Sequence, residues 1–132
     1  MKCILFLAAQ NILIDFQSKR ARAINIMEDM VSPTFPFLLS LSTLSFFERE
    51  GEEGDEVFYL EGKIGETVIL PKFKLEIFID KETKGAKNLV NMGAIIIPEP
   101  GKLSLAISNI ENDVKASLSI NILTYTQQPN IA

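Results

Sequence analysis

Histidine and tryptophan are absent from this chain of 132 residues, and cysteine occurs once. Without histidine, the chain lacks the usual general base at neutral pH, the commonest zinc ligand and the middle member of hydrolase triads. A single cysteine forms neither an internal disulfide nor a cysteine-based zinc site, so a disulfide-stapled secreted domain is excluded. We therefore expect a cytoplasmic protein that is not an enzyme and that holds no cofactor and no metal.

Positive charge and long apolar runs are also scarce. Thirteen Lys and Arg residues face seventeen Asp and Glu residues, which gives a net charge of -4. Nonspecific nucleic-acid binding requires a basic stripe, so we expect no nucleic-acid partner. The apolar run at residues 3–9 is far below the roughly twenty residues that span a bilayer, and it is short for a cleaved signal. We expect no membrane association.

Alternation of apolar and polar residues with a period of two is the pattern that recurs along the chain, and no segment keeps helical spacing. It is clearest in residues 114–122, and it returns in residues 73–79 and 103–108. The chain is thus predicted to be all-β, a single-domain antiparallel β-sandwich of about seven or eight strands, immunoglobulin-like or C2-like. The domain is expected to span residues 1–126, with a frayed tail at 127–132. The predicted strands are residues 3–14, 22–30, 37–48, 56–62, 67–80, 89–97, 103–110 and 114–125.

Three strands carry more specific expectations. The first strand is apolar on both pleat faces, so it should be covered on two sides, by the core and by either another chain or a covering loop. Pro71 removes a hydrogen-bond donor from its strand, which predicts an edge position, a bulge or a break there. Ser40, Ser42 and Ser45 lie in an apolar strand, and we interpret them as its solvent-facing side.

Three segments resemble parts of small bacterial β-sandwich proteins of unknown function. They are the turn and strand SKRARAINI at residues 18–26, the Phe-Pro segment SPTFPF at residues 32–37, and the hairpin AIIIPEPGKLSL at residues 94–105. The chain departs from the family pattern at Ser18, where glycine is usual, and at Lys102, where an aromatic residue is frequent. The resemblance implies the sandwich fold. It implies no catalytic residue, because the family has no assigned activity.

The acidity of the chain is concentrated in residues 48–56, which hold six acids and one base. This segment contributes -5, so the rest of the chain sums to +1 against the total of -4. If successive strands alternate in direction, the segment lies at the same end of the sandwich as a basic turn and residues 80–87 and 111–113. Opposed charges at one end favour electrostatic recognition of a protein partner. The candidate partner-binding residues are Lys19, Arg20, Glu50, Glu52, Glu53 and Asp55.

An alternative interpretation of the charged end is a ligand site. Calcium requires several converging carboxylate oxygens, and the acidic segment supplies them only if a second acidic loop lies nearby. A carbohydrate would need stacking aromatic rings, and Tyr59 and Tyr125 are the only tyrosines. The alternative function is therefore a sandwich that binds calcium or a carbohydrate at its charged loop end.

Four side chains carry individual expectations. Phe35 and Phe37, in a proline-rich loop, either cap the core or anchor a partner. Phe78 lies on the polar side of its strand, which makes it a third candidate for apolar contact with a partner. Cys3 has no histidine to activate it, so we interpret it as a buried, unreactive thiol.

The function favoured by these observations is a noncatalytic protein–protein interaction or assembly module. It is expected to self-associate or to belong to a larger bacterial or phage complex. The mean hydropathy is +0.19, and apolar residues fall on faces that an isolated sandwich should leave polar. These surplus residues are Leu5 or Phe6, Phe47, Tyr59 and Phe78.

Overall fold

A computed structural model describes residues 1–15, 17–18, 20–48, 54–79 and 85–124, and of residues 14, 54–56 and 76–79 it describes the backbone alone. Within these ranges the regular structure consists of nine strands and no helix, so none of the described residues forms a helix that crosses a membrane. The predicted tail, residues 127–132, lies outside the described residues. The strands are β1 (Lys2–Ile14), β2 (Ala21–Ile26), β3 (Asp29–Ser32), β4 (Phe37–Glu48), β5 (Gly54–Ile64), β6 (Thr67–Ile79), β7 (Gly85–Ile97), β8 (Gly101–Ser108) and β9 (Val114–Thr124).

The described strands form two sheets packed against each other, which confirms the predicted all-β sandwich. The four-stranded sheet has the order β2-β1-β4-β7 and is antiparallel throughout. The five-stranded sheet has the order β3-β9-β8-β5-β6, and only its β3–β9 pair is parallel among the described pairs. Each sheet therefore has one face towards the other sheet and one face turned outward.

The predicted strand at residues 22–30 is wrong, because the chain changes sheets within it. Asn25 has a left-handed backbone with φ of 57°. Beyond it, the backbone N–H of Met27 donates a hydrogen bond to the carbonyl oxygen of Ala8 at 2.9 Å, and the Met27 side chain is buried in the core. β2 therefore ends beside β1, and β3 begins in the five-stranded sheet, where it runs back towards the end from which β2 came.

The expectation for Pro71 is confirmed. β6 is an edge strand of the five-stranded sheet. Leu60 pairs with Phe73, whereas Gly62 pairs with Leu70, so β6 has an extra residue at Pro71 relative to β5. The bulge and the edge position together remove the need for a backbone donor at this proline.

The core between the sheets is built by the alternating positions that the sequence identifies. The side chains of Leu103, Leu105 and Ile107 on β8 are almost completely buried. Phe47 on β4 stacks on Phe58 on β5, with ring centroids 4.7 Å apart and an interplanar angle of 26°. Phe47 is 0% exposed, so its assignment to the surplus apolar surface is wrong. It lies on the core side because it pairs with residues of β1 and β7 that also face the core.

The serines of β4 follow the prediction only in part. Ser40 is exposed, but Ser42 and Ser45 are 2% and 3% exposed, so their assignment to a solvent-facing side is wrong. Ser45 faces the core, and its hydroxyl donates a hydrogen bond to the carbonyl oxygen of Asn88 at 3.5 Å. Ser42 lies on the opposite face. Both are shielded because β4 is an inner strand with a long neighbour on each side.

Candidate functional site

The two outward faces of the sandwich differ in chemistry. On the five-stranded sheet, the outward residues of the paired strands β8 and β9 are exposed and polar, and they include Lys102, Ser104, Ser117, Ser119 and Asn121. This is the ordinary pattern for an antiparallel sheet with one face in water. The five-stranded sheet thus provides a reference, within the same molecule, for what a solvated face looks like.

The outward face of the four-stranded sheet carries large apolar side chains in two groups, with the polar residues Ser40, Ser42 and Asn91 between them. Strand register places side chains in rows across β1, β4 and β7, among them Leu7–Leu44–Leu89 and Leu5–Phe46–Lys87. Leu5, Leu38, Leu89 and Ile96 are 45%, 67%, 38% and 62% exposed, and all are large apolar residues. We call the set the outer apolar face, and it consists of Leu5, Leu7, Leu38, Leu44, Phe46, Leu89 and Ile96.

A small apolar cluster separate from the core supports this face. Ala9, Ile12 and Leu44 form it, with Leu7 packed alongside. The residues of this cluster come from β1, β2 and β4 of the four-stranded sheet, and the described residues of the five-stranded sheet contribute none. Leu44 is only 5% exposed, while its neighbours in the outer apolar face remain open to water. Side chains of neighbouring strands in the same sheet therefore bury part of the face, and no described residue of the five-stranded sheet packs on it.

Asn91, one of the polar residues on this side of the sheet, has a partner in the same chain. The side-chain oxygen of Asn91 accepts a hydrogen bond from the backbone N–H of Gly93 at 2.9 Å. Gly93, with φ of 63°, forms a bulge in β7 opposite β4, a conformation that favours glycine. Among the described residues, no buried side-chain nitrogen or oxygen lacks a hydrogen bond. Covering the face would therefore keep the Asn91–Gly93 hydrogen bond, whereas the exposed Ser40 would need a partner in the contact.

Charged side chains lie around this face rather than within it. Lys2 and Glu48 are paired at one end of the β1–β4 ladder, and Lys87 lies beside Phe46. Arg22 belongs to β2 at the edge of the sheet. An apolar centre with charges at the rim is the composition typical of protein–protein interfaces.

Arg20 is the one candidate partner-binding residue whose side chain is described. It is exposed and lies beside a cleft of about 610 Å³ that Leu13, Asp15 and Arg22 also line. The Asp15 carboxylate accepts hydrogen bonds from the backbone N–H groups of Gln17, at 2.8 Å, and Ser18, at 3.3 Å. These bonds lower the pKa of Asp15 from its ordinary value. Lys19, Glu50, Glu52 and Glu53 lie outside the described residues, as does the side chain of Asp55.

The predicted grouping of the basic turn with the acidic segment is wrong. The β1–β2 turn follows Ile14, at the end of β1 opposite to Lys2. Lys2 pairs with Glu48, and Glu48 pairs with Gly85, so the strand ends that flank residues 49–53 lie at the other end of the sandwich from Arg20. The switch from β2 to β3 causes this separation, because the chain returns to the same end before β4 begins.

Among the apolar candidates, Phe35 and Phe37 are placed at the core rather than in a site. Phe35 and Phe37 are half-buried against the core and contact each other edge to face at 5.3 Å, as a cap would. The side chain of Phe78 lies outside the described residues. Cys3 is half-buried, its thiol donates a hydrogen bond to the carbonyl oxygen of Leu5, and partial burial raises its pKa.

The described residues provide no set of ligands for the calcium site that the sequence offers as an alternative. Within the ranges given above, no group of three or more His, Cys, Asp or Glu side chains is placed to hold a metal ion. Residues 49–53 and 80–84, which carry much of the acidity, are outside those ranges.

Most of the outer apolar face was missed by sequence reasoning, although Leu5 was identified. The available signal was in β4, where Leu38, Leu44 and Phe46 alternate with core residues. The same criterion of two apolar pleat faces that was applied to the first strand would have found them.

Comparison with known proteins adds no identification. No protein-family model and no curated protein matches this chain.

Proposed function

We propose that this protein is a noncatalytic interaction or assembly module that binds another protein through its outer apolar face. The observation that carries the proposal is the contrast between the two outward faces. The five-stranded sheet presents mainly polar residues on β8 and β9 and exposes Val68 and Val114, whereas the four-stranded sheet exposes the larger residues Leu5, Leu38, Leu89 and Ile96. The contiguous part of this face consists of Leu5, Leu7, Leu44, Phe46 and Leu89, and exposed apolar patches of this kind mark interaction sites.

The energetics favour a covered face. Full burial of a Leu or Ile side chain contributes about 1.5 to 3 kcal/mol. Leu5 and Leu89 are roughly half exposed, so covering each would contribute about 1 kcal/mol. Leu38 and Ile96 are more exposed and form a cross-strand pair, which gives a partner a second apolar contact.

The first strand supports the same conclusion. Its core side packs in the sandwich through Cys3, Phe6 and Ala8, and Leu5 on the opposite side stays exposed. Of the two covers that the sequence left open for this strand, we favour another chain. We place the function in the reducing cytoplasm, where a single free cysteine is stable.

The experiment is capture from the cells that make the protein, followed by native mass spectrometry at low and high salt. Tagged wild type is compared with a variant that carries Leu5→Lys and Leu89→Lys. A control variant carries Val68→Lys and Val114→Lys, which change residues that are similarly exposed, at 48% and 62%, on the five-stranded sheet.

Wild type and the control variant should carry bound protein that survives high salt, because apolar contacts are not screened. The Leu5→Lys, Leu89→Lys variant should lose it. A wild type that carries no bound protein, or a complex that both variants retain equally, would overturn the proposal.

A further inference from the structure

We infer that the occupant of the outer apolar face is a second copy of this chain, packed face to face through the two four-stranded sheets. The inference rests on the proposed function, since it names the partner of the same surface. The size of the face, its chemistry and the hydrogen bonds that its polar groups already make support this occupant.

The face has the size that a stable dimer needs. β1, β4 and β7 are 13, 12 and 13 residues long, and β2 adds six residues at one edge. With strands about 4.8 Å apart and a rise of about 3.3 Å per residue, the sheet covers roughly 700 Å². Specific dimers bury about 800 Å² on each partner, so contact over the whole outward side of the sheet, its polar positions included, approaches that size.

The chemistry of the face is self-complementary. A two-fold interface brings the same patch of both subunits together, so a patch with a strong charge of one sign would repel itself. Charge is confined to the rim of the outer apolar face, where Glu48 lies with the three cations Lys2, Lys87 and Arg22, so both signs are present. Two apolar sheet faces pack at about 10 Å, the geometry of a sandwich core.

Several polar groups on this side of the sheet are already bonded or shielded within the chain, and Ser40 stays exposed. The Asn91 side-chain oxygen already accepts the Gly93 N–H, and Ser42 is 2% exposed. Gln10 and Asn25, beside the face, bond to each other at 2.7 Å. A dry contact with an identical face therefore leaves their hydrogen bonds intact.

Two other occupants of the outer apolar face would each give a different result in the experiment below. One is a different protein, and the other is the segment at residues 125–132. That segment continues from β9, which belongs to the five-stranded sheet, and Tyr125 and Ile131 are its large apolar residues. Either occupant would leave the purified chain monomeric.

The experiment is sedimentation velocity of the purified full chain over about 1 to about 200 µM, the range in which a standard-sized interface of moderate affinity is resolved. We expect a species of twice the 14.7 kDa chain mass, with a population that grows with concentration and persists at high salt. The Leu5→Lys, Leu89→Lys variant should bind itself at least about a hundredfold more weakly, because each unpaired buried lysine costs about tenfold or more. The Val68→Lys, Val114→Lys control should match wild type.

A milder variant, Leu5→Gln with Leu89→Gln, guards against loss of folding, and circular dichroism checks every variant. A wild type that stays monomeric over the whole range would overturn the inference, as would a dimer that both Leu5 and Leu89 variants retain. If the wild type is monomeric yet host capture shows a partner that depends on the face, the second-copy inference fails and the proposed function stands. If neither self-association nor face-dependent capture occurs, both fail.

Discussion

Phe47 offers the sharpest test of how the two sheets are joined. Its ring lies on β4, is 0% exposed and stacks on Phe58 of β5 at 4.7 Å between centroids. Replacing Phe47 with leucine keeps an apolar side chain of similar volume, so the expected loss in the free energy of unfolding is about 1.5 kcal/mol. Phe58→Leu should cost a similar amount.

The stacked pair adds a coupling that single variants do not reveal. Aromatic pairs contribute about 0.5 to 1.5 kcal/mol beyond the area that they bury. The double variant should therefore cost less than the sum of the single variants by about that amount, because the stacking is lost only once.

The assay is urea unfolding followed by circular dichroism, at one fixed protein concentration because self-association would make stability concentration-dependent. Phe35→Leu is the matched control, since its ring contacts Phe37 at 5.3 Å and is only half-buried. It should cost less than Phe47→Leu. The packing of the sheets described above is refuted if Phe47→Leu costs under about 0.5 kcal/mol, the range of surface substitutions.

Three further predictions test local features. Gly62→Ala should destabilise the chain by about 1 to 3 kcal/mol in urea unfolding, because the added Cβ would lie 2.8 Å from the Cδ2 atom of Leu105; a neutral result would contradict the close approach. Alkylation of Cys3 at neutral pH should be slower than that of a free small thiol and should accelerate as pH rises, because partial burial raises its pKa; equal rates would contradict this. Asp15 has a folded pKa below its ordinary 3.8, owing to hydrogen bonds from Gln17 and Ser18, so the stability that it contributes is present above that value and is lost as pH falls through the folded pKa. Thermal unfolding between about pH 5 and about pH 2 should therefore show a larger loss of stability for wild type than for Asp15→Asn, and identical profiles would contradict the assignment.

Local sequence signals account for most strand positions. β4 is predicted with the bounds that the structure has, because Pro36 precedes it and its charged end follows an apolar run. The position of Pro71 is predicted because a missing N–H restricts the ladder wherever it occurs. These features depend on residues close in sequence, so no knowledge of the partner strand is needed.

The change of sheet between β2 and β3 depends on contacts distant in sequence. Residues 21–32 contain no glycine and no proline, and the first proline after them is Pro33. The sequence therefore predicts no break within this range. The break comes from the left-handed backbone of Asn25 and from Met27, which bonds to Ala8 on another strand. Missing that break reversed the direction of the following strand and wrongly placed the basic turn at the end of the sandwich where the acidic segment lies.

The sequence predicts that apolar residues are exposed on a sheet face, but it does not predict correctly which residues these are. Leu5 is exposed as expected, whereas Phe47 is in the core, because the face of each β4 residue is fixed by its register with β1 and β7. The serines show the same dependence. Ser42 and Ser45 are an odd number of residues apart, so a regular strand cannot place both on one face.

The most direct test of the central claim is hydroxyl-radical footprinting of the unmodified protein, read by mass spectrometry at low and high protein concentration. Oxidation of Leu5, Phe46 and Leu89 should fall as concentration rises, because the outer apolar face becomes covered. Oxidation of Val68 and Val114, which are exposed on the five-stranded sheet, should not change. Unchanged oxidation of the outer apolar face at high concentration, or protection centred on Val68 and Val114, would contradict the account.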